Sequence, residues 1–267
     1  MKINLSHIPE RPEKPRQNGL NMVMDKGLSL RQAEDLVSVS SNLIDFIKLG
    51  FGTSYATPNV HEKIKLYQNA GIKVYLGGTF LEAFIRRNAL AEYYRLLDEW
   101  KLDVAEVSDG SIHISNKLKC KLIEDLAKRV TVLSEVGSKE EGILIAPNKW
   151  KQMIQDERNA GAWKVIAEAR ESGTVGIYRP SGKAHTTLIQ KILAVVDQTH
   201  LIWEAPQKNQ QVFWIKLLGA NVNLGNIAPD DVIPLETLRL GLRGDTFFQF
   251  LPEAMAQTDV TKLDFPS

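Results

Sequence analysis

Short apolar runs alternate with amphipathic helical patterns along most of the chain. Nearly every run ends in a charged residue and a Gly or Pro break before the helical pattern starts; in the first unit, Ser29 is placed to cap a helix. The eight predicted strands are Leu20–Lys26, Ile44–Gly50, Lys73–Leu76, Val104–Val107, the run from Val130 to the break at Gly137, Lys164–Ala167, Leu201–Trp203 and Val222–Leu224. Such alternation predicts a parallel α/β fold, and eight units favour a single-domain (β/α)8 TIM barrel.

A doubly wound open sheet is the alternative fold for the same alternation. The sequence has no Gly-x-Gly-x-x-Gly turn between a strand and a helix, so a dinucleotide-binding fold gains little support. We expect residues 20–250 to form the barrel, residues 1–19 an N-terminal extension and residues 251–267 a C-terminal tail that lies on the surface or at a subunit contact.

Composition narrows the class of protein. The formal net charge of +1 gives no general attraction to nucleic acid or to an anionic membrane, although a local basic pocket for a small anion is compatible with it. The single cysteine, Cys120, excludes an intrachain disulfide and fits a reducing compartment. Neither a signal-peptide core nor an apolar run of about 18 residues is visible, so we expect a cytoplasmic protein with no membrane partner.

The predicted strand ends carry charges of both signs. The cations are Lys26, Lys48, Lys139, Arg170 and Lys208, and the acids are Asp25, Glu106, Asp109, Glu135, Glu168, Glu171 and Glu204. A barrel brings its strand ends to one face, and such a mixture suits a small polyanionic substrate with a hard divalent cation. Without Cys- or His-rich spacing, zinc is not expected. For any single lysine, a structural ion pair is the commoner role, and Trp203 and Trp214 are expected to be packing residues.

Eight segments, in order along the chain, resemble the phosphosulfolactate synthase family. They are Met22–Leu28 (MVMDKGL), Ile44–Ser54 (IDFIKLGFGTS), Val104–Ser111 (VAEVSDGS), Leu133–Lys139 (LSEVGSK), Glu168–Gly173 (EARESG), Glu204–Lys208 (EAPQK), Val222–Ala228 (VNLGNIA) and Leu238–Phe247 (LRLGLRGDTF). Together they extend from about residue 20 to residue 247, which makes the combination far more specific than any one segment.

The resemblance implies a (β/α)8 lyase that uses Mg²⁺ and adds sulfite to phosphoenolpyruvate, giving (2R)-2-phospho-3-sulfolactate. In methanogens this is the first committed step of coenzyme M biosynthesis. Members in bacteria without methanogenesis and heat-stress-associated plant proteins share the fold and the motifs. The family also suggests a homo-oligomer, with small molecules rather than nucleic acid as the partners.

The resemblance also assigns roles to residues. Lys139 matches the lysine to which the family motif gives the protonation of C2. Catalytic roles are predicted for Lys139, Lys26 and Arg170, substrate binding for Lys48, Lys26, Arg170, Ser172, Gly225 and Asn226, and metal binding for Glu106, Asp109 and Glu135. Cations suit phosphate or sulfonate oxygens, and an amine whose pKa is lowered by neighbouring cations can act as a general acid near neutral pH.

The sequence departs from the family pattern at two places. Ser138 stands where a second basic residue is common, and the loop after Gly173 reads TVGIYRPSG up to Gly182. Loops after strands carry specificity, so two alternatives follow from these departures. One is a family barrel that uses another phosphorylated substrate or another nucleophile, and the other is a non-catalytic, stress-associated protein.

Overall fold

Eight parallel strands form a nearly closed barrel. The structure is a computed structural model and describes residues 3–137 and 145–257. The strands are β1 (Asn21–Asp25), β2 (Phe46–Leu49), β3 (Lys73–Leu76), β4 (Val104–Val107), β5 (Thr131–Val136), β6 (Ala162–Ala167), β7 (Leu201–Glu204) and β8 (Leu224–Ile227). They are hydrogen-bonded in the order β3-β2-β1-β8-β7-β6-β5-β4, so the first strand pairs with the last. The predicted single-domain (β/α)8 barrel is confirmed.

Helices connect successive strands and cover the outside of the barrel. They are α1 (Leu30–Ser40), α2 (Thr53–Ala56), α3 (Val60–Asn69), α4 (Gly78–Arg86), α5 (Leu90–Glu99), α6 (Asn116–Leu126), α7 (Pro147–Asn159), α8 (Thr186–Leu193), α9 (Lys208–Leu218), α10 (Val232–Arg239) and α11 (Glu253–Ala256). Ser29 caps α1 in a capping box with Gln32, as its sequence position predicts. Within the described part of the chain, no helix has the length and apolar content of a membrane span.

Side chains that point into the barrel form an apolar layer and, above it, a charged one. The apolar layer contains Leu20, Met22, Phe46, Tyr75, Val104, Leu133, Ile166 and Ile202. Successive side chains of a strand alternate between its two faces, so the residue two places further along points inward again. In five strands that residue is charged: Lys48, Glu106, Glu135, Glu168 and Glu204. The period of two therefore places these charges together at the carboxyl end of the barrel.

Outward-facing residues of the strands pack against the helices in a second, larger core. Trp203 of β7 and Trp214 of α9 lie in this core, both fully buried, with their rings stacked 4.0 Å apart. The prediction that these two tryptophans are packing residues is confirmed.

The prediction for the eighth strand was wrong at both ends. The sequence predicts a strand over Val222–Leu224 that reaches Gly225 and Asn226 at its end, whereas β8 extends from Leu224 to Ile227 and includes both of these residues. The glycine serves close packing rather than a turn. A Cβ at Gly225 would lie 2.6 Å from Met22 Cε and 3.2 Å from Ile202 Cγ2, so any larger residue would force these side chains inside the barrel to move.

We expect Gly225→Ala to lower the free energy of unfolding by about 1–3 kcal/mol, because the added methyl group overpacks the barrel interior. Denaturant titration measures this loss. Gly244→Ala is a matched control, since a Cβ there meets nothing within 4 Å and the change should stay within about 0.5 kcal/mol. Equal effects of the two substitutions would contradict the packing role of Gly225.

The N-terminal extension lies against the barrel. Arg11 forms an ion pair with Glu236 of α10 at 2.9 Å, and Arg16 forms a nearly buried one with Asp45 at 2.8 Å. Asp45 also accepts a hydrogen bond from the backbone N–H of Asn21 at the start of β1. These contacts tie the extension to the amino-terminal ends of β1 and β2, away from the charged layer.

Candidate active site

A cavity of about 560 Å³ lies at the carboxyl end of the barrel. Its walls come from the ends of all eight strands and from the segments that follow them. They are formed by Met24, Lys48, Gly50, Phe51, Gly77, Gly78, Thr79, Glu106, Ser111, Glu135, Glu168, Arg170, Glu171, Ser172, Glu204 and Asn226. Active sites of (β/α)8 barrels occupy this end, and the cavity holds most of the charges that the sequence predicts there.

Lys48 lies at the centre of the charged layer. Its Nζ is 2.9 Å from Glu106 Oε2 and 3.7 Å from a carboxylate oxygen of both Glu135 and Glu204. Burial disfavours the ammonium, but the carboxylates outweigh burial and hold the pKa of Lys48 well above its usual value. Lys48 therefore stays protonated and orients the carboxylates around it. Its predicted contact with substrate stays a prediction.

Carboxylates also join the ends of β3 and β4, which lie at opposite edges of the hydrogen-bonded strand order. Glu106 of β4 accepts a hydrogen bond from the backbone N–H of Gly78, the first residue of α4, at 2.7 Å. Glu82, further along α4, accepts hydrogen bonds from the N–H groups of Ser111 and Ile112 at 2.6 and 2.9 Å. These bonds hold the loop after β4, and with it Ser111, against the cavity.

Three buried glutamates converge in a way that suits a metal ion. Glu135, Glu168 and Glu204 each offer one carboxylate oxygen, and these three oxygens lie within 4.8 Å of one another. Oxygen donors of this kind match the preference of Mg²⁺ for hard ligands. Glu204 is held in place by a hydrogen bond from the N–H of Ala169 at 2.8 Å.

The predicted metal residues are only partly in this group. Of Glu106, Asp109 and Glu135, the group contains only Glu135, and Glu106 is the ion-pair partner of Lys48 at 2.9 Å. Asp109 is 3.1 Å from the buried Lys119, which also pairs with Glu157 at 3.0 Å. Asp109 does not lie among the residues that line the cavity.

Two predicted cations lie at the rim of the cavity. Lys26 Nζ forms an ion pair with Glu171 Oε1 at 2.9 Å, and both side chains are about half exposed, at 47% and 51%. Because Lys26 follows β1 and Glu171 follows β6 and lines the cavity, this pair links the loops after these two strands at the cavity edge. Arg170 is exposed and lines the cavity, with a left-handed backbone (φ 57°) whose N–H donates to the Glu168 carboxylate.

The remaining predicted substrate contacts differ in their placement. Ser172 lines the cavity, and its carbonyl accepts a hydrogen bond from Gln207 Nε2 at 2.6 Å. Asn226 lines it as well, nearly buried and left-handed (φ 55°), and its Nδ2 donates to the carbonyl of Arg170 at 3.5 Å. Gly225 lies inside the barrel against Met22, outside the cavity lining. Lys139 lies outside the described residues.

Two of the three converging glutamates were not predicted to be metal ligands from the sequence. Glu168 and Glu204 were visible as charged strand ends, but nothing distinguished them from Asp109 or Glu171. The alternation of side chains along a strand could have identified them. Glu168 stands two residues beyond Ile166 and Glu204 two residues beyond Ile202, and both isoleucines point into the barrel. Asp109 fails this test, since it stands five residues beyond Val104 and lies past the end of β4.

We expect Glu204→Gln to make stability less dependent on pH. Burial, reinforced by Glu135 and opposed by Lys48, raises the pKa of the Glu204 carboxyl to about 7, whereas glutamate in an unfolded chain has a pKa of about 4.3. Between these values the folded state holds a proton that the unfolded state has lost. The free energy of unfolding therefore falls as the pH rises from about 4.5 to 7, by on the order of 1–3 kcal/mol, and glutamine removes this contribution.

Denaturant titrations of the chelator-treated protein across that pH interval measure the effect. Glu34→Gln, at an exposed position of α1, is the control and should keep the wild-type pH dependence. If Glu204→Gln and wild type lose stability in parallel as the pH rises, Glu204 does not carry the raised pKa.

The sequence model of the (2R)-phospho-3-sulfolactate synthase (ComA) family matches residues 9–245. The phosphosulfolactate synthase of Bacillus subtilis is 40% identical over 244 residues, which cover 90% of this chain and 97% of that protein. The phosphosulfolactate synthase of Methanocaldococcus jannaschii is 42% identical over 243 residues, which cover 86% of this chain and 94% of that protein. The similarity thus extends over nearly the whole barrel.

Solved structures show the same fold at much lower identity. The 3-hexulose-6-phosphate synthase of Salmonella typhimurium superposes with a TM-score of 0.53 at 13% identity, over 84% of this chain and all of that chain (100%). The YdjI aldolase of Escherichia coli K12 superposes with a TM-score of 0.54 at 9% identity, over 79% of this chain and 75% of that one. At this level of identity, these similarities show only that the barrel fold is shared.

Proposed function

This chain belongs to the phosphosulfolactate synthase family, and from that membership we propose that it adds sulfite to C3 of phosphoenolpyruvate, giving (2R)-2-phospho-3-sulfolactate. The observation that carries the proposal is the 40% identity to a phosphosulfolactate synthase over 90% of the chain. The cavity supports it, because its mixture of cations and carboxylates suits a small substrate that carries phosphate and carboxylate groups.

The reaction forms one carbon–sulfur bond and breaks no bond to phosphorus. The sulfur lone pair of sulfite attacks C3, and the electron pair of the C2–C3 double bond moves toward C2 and its carboxylate. A proton then adds to C2 from one face, which sets the configuration of the product. The protein must therefore hold the two anions together, stabilise negative charge on the carboxylate and deliver one proton.

We assign an Mg²⁺ site to Glu135, Glu168 and Glu204, because their oxygens converge and are hard donors. Bound there, Mg²⁺ would supply Lewis-acid stabilisation of the substrate carboxylate. This assignment keeps Glu135 from the sequence-derived set and replaces Glu106 and Asp109, which have lysine partners of their own.

The other charged side chains of the site would orient the carboxylates, bind the substrates and supply the proton. Lys48 holds Glu106, Glu135 and Glu204 in a fixed arrangement through its ammonium group. Arg170 in the cavity wall, and Lys26 at the rim, bind phosphate or sulfonate oxygens by charge-assisted hydrogen bonds. Lys139 delivers the proton to C2, the role that the family motif implies for it.

The proposal is tested by incubating the purified protein with phosphoenolpyruvate and Mg²⁺, with and without sulfite, and by determining the mass and chirality of the product. We expect phosphosulfolactate of R configuration only when both sulfite and Mg²⁺ are present. Consumption of phosphoenolpyruvate without incorporation of sulfite would indicate another nucleophile. Absence of turnover in folded, Mg²⁺-supplied protein would overturn the proposed reaction.

A further inference from the structure

Phe51 is an aromatic residue with an unfavourable backbone and an exposed ring at the mouth of the cavity. It follows β2 with φ 55° and ψ 24°, the left-handed region that bulky side chains rarely occupy. The residue is 53% exposed, although it is part of the cavity wall. The left-handed backbone is strained, and the exposed ring gives up the stabilisation that burial would provide. Both effects lower the stability of the fold at this residue.

The neighbours of Phe51 hold it in this conformation. A Cβ at Gly50 would clash with Met24 Sδ, so the chain passes directly over the barrel interior before it reaches Phe51. Gly52 is itself left-handed (φ 65°), and Thr53 Oγ1 donates a hydrogen bond to the Gly50 carbonyl at 2.8 Å. The backbone conformation of Phe51 is therefore fixed by the residues on either side of it, and strain that the surroundings fix in this way is common at functional sites.

The rest of the cavity explains what an apolar ring could contact. Among the described residues that line it, Met24 and Phe51 alone carry large apolar side chains, and Met24 is almost fully buried. The other walls are charged, polar or glycine. A substrate with charged groups at one end and an uncharged carbon at the other needs one apolar surface, and an aromatic ring provides it while excluding water.

We propose that Phe51 is a substrate-contact residue that determines specificity: its ring packs against the methylene face of bound phosphoenolpyruvate and keeps water from the carbon that sulfite attacks. This inference rests on the proposed function. It explains why two glycines flank a strained phenylalanine at the cavity mouth, where asparagine or glycine would fit the backbone without strain.

The test compares Phe51→Gly, Phe51→Tyr and Lys101→Gly with the wild type. Lys101 is also left-handed (φ 52°) but follows α5, outside the cavity lining, so its glycine variant relieves the same kind of strain at a neutral position. We expect both glycine variants to unfold at an unchanged or higher temperature. Only Phe51→Gly should lose kcat/KM, by about tenfold or more, whereas Phe51→Tyr, which keeps the ring, should stay within about threefold of wild type.

Thermal unfolding, steady-state kinetics, light scattering and calorimetric titration with phosphoenolpyruvate in Mg²⁺ separate the outcomes. If Phe51→Gly unfolds at a clearly lower temperature or changes the number of subunits, the ring packs against protein and the proposal is overturned. Unchanged kcat/KM would also overturn it. If the wild type shows no sulfite-dependent turnover, the proposed reaction fails on its own; weaker phosphoenolpyruvate binding by Phe51→Gly would then still support the contact, and equal or undetectable binding would overturn it.

Discussion

Replacing Lys48 with methionine should lower the free energy of unfolding by about 3–5 kcal/mol and abolish turnover. Methionine has a similar length and fills the same space, so the change removes the charge with little loss of packing. Glu106, Glu135 and Glu204 would then face one another in a buried layer without the ammonium that now lies 2.9–3.7 Å from them. Turnover would be lost because the carboxylates would no longer keep their arrangement.

The loss of stability should depend on pH in a definite direction. Without Lys48, the three buried carboxylates repel one another with no cation between them, and protonation relieves that repulsion, so the folded state takes up protons more readily than the unfolded chain. The deficit relative to wild type should therefore shrink as the pH falls from about 8 toward 5. Denaturant titrations at several pH values and the sulfite-dependent assay measure the two effects.

Lys128→Met is the matched control for Lys48→Met. Lys128 forms an exposed ion pair with Asp125 at 3.4 Å, and its loss should change stability by at most about 1 kcal/mol, with normal turnover. If Lys48→Met is as stable and as active as the control, the ammonium is not needed to hold the carboxylates.

Replacing Lys139 with alanine should lower kcat by about 10²- to 10⁴-fold, the usual contribution of a positioned general acid. Lys139 lies outside the described residues, but it stands three residues beyond Val136, the last residue of β5, and Glu135 of that strand lines the cavity. An amine at this point of the chain is therefore close in sequence to the charged layer. The KM for phosphoenolpyruvate should change much less than kcat, because the proton is needed only after the carbon–sulfur bond has begun to form.

Steady-state kinetics of the folded variant measure this loss, and Lys149→Ala on the exposed side of α7 is the control. A small primary amine added to the solution should restore part of the activity of Lys139→Ala if a proton donor is missing. Unchanged kcat in a folded Lys139→Ala variant would remove Lys139 from the role of general acid.

Much of the fold could be predicted because its signals are local. The strands Lys73–Leu76 and Val104–Val107 have the predicted bounds, and the Ser29 cap is present, since burial on both faces and helix capping leave marks within a few residues. The eighth strand was misplaced for the same reason. Gly225 resembles a turn residue locally, and its true cause, the side chain of Met22, lies on another strand.

The candidate site could be predicted as a collection of charges but not as an arrangement. Glu106 and Asp109 stand in one short segment and look alike, yet one pairs with Lys48 in the cavity and the other with Lys119 behind it. Lys48 looked like a group for binding phosphate, whereas its nearest partners are carboxylates of the protein itself.

By itself, then, the sequence determined the strand–helix alternation, the barrel and the kinds of charged group at its carboxyl end. These features follow from the spacing of apolar residues, the Gly and Pro breaks and the residue types within short segments. Only the tertiary structure decided which charges meet. Lys48, Glu135 and Glu204 come from three different strands, and their interactions depend on strand order and register across the whole barrel. The left-handed backbone of Phe51 was likewise visible only in the tertiary structure, where the preceding Gly50 lies against Met24 of β1.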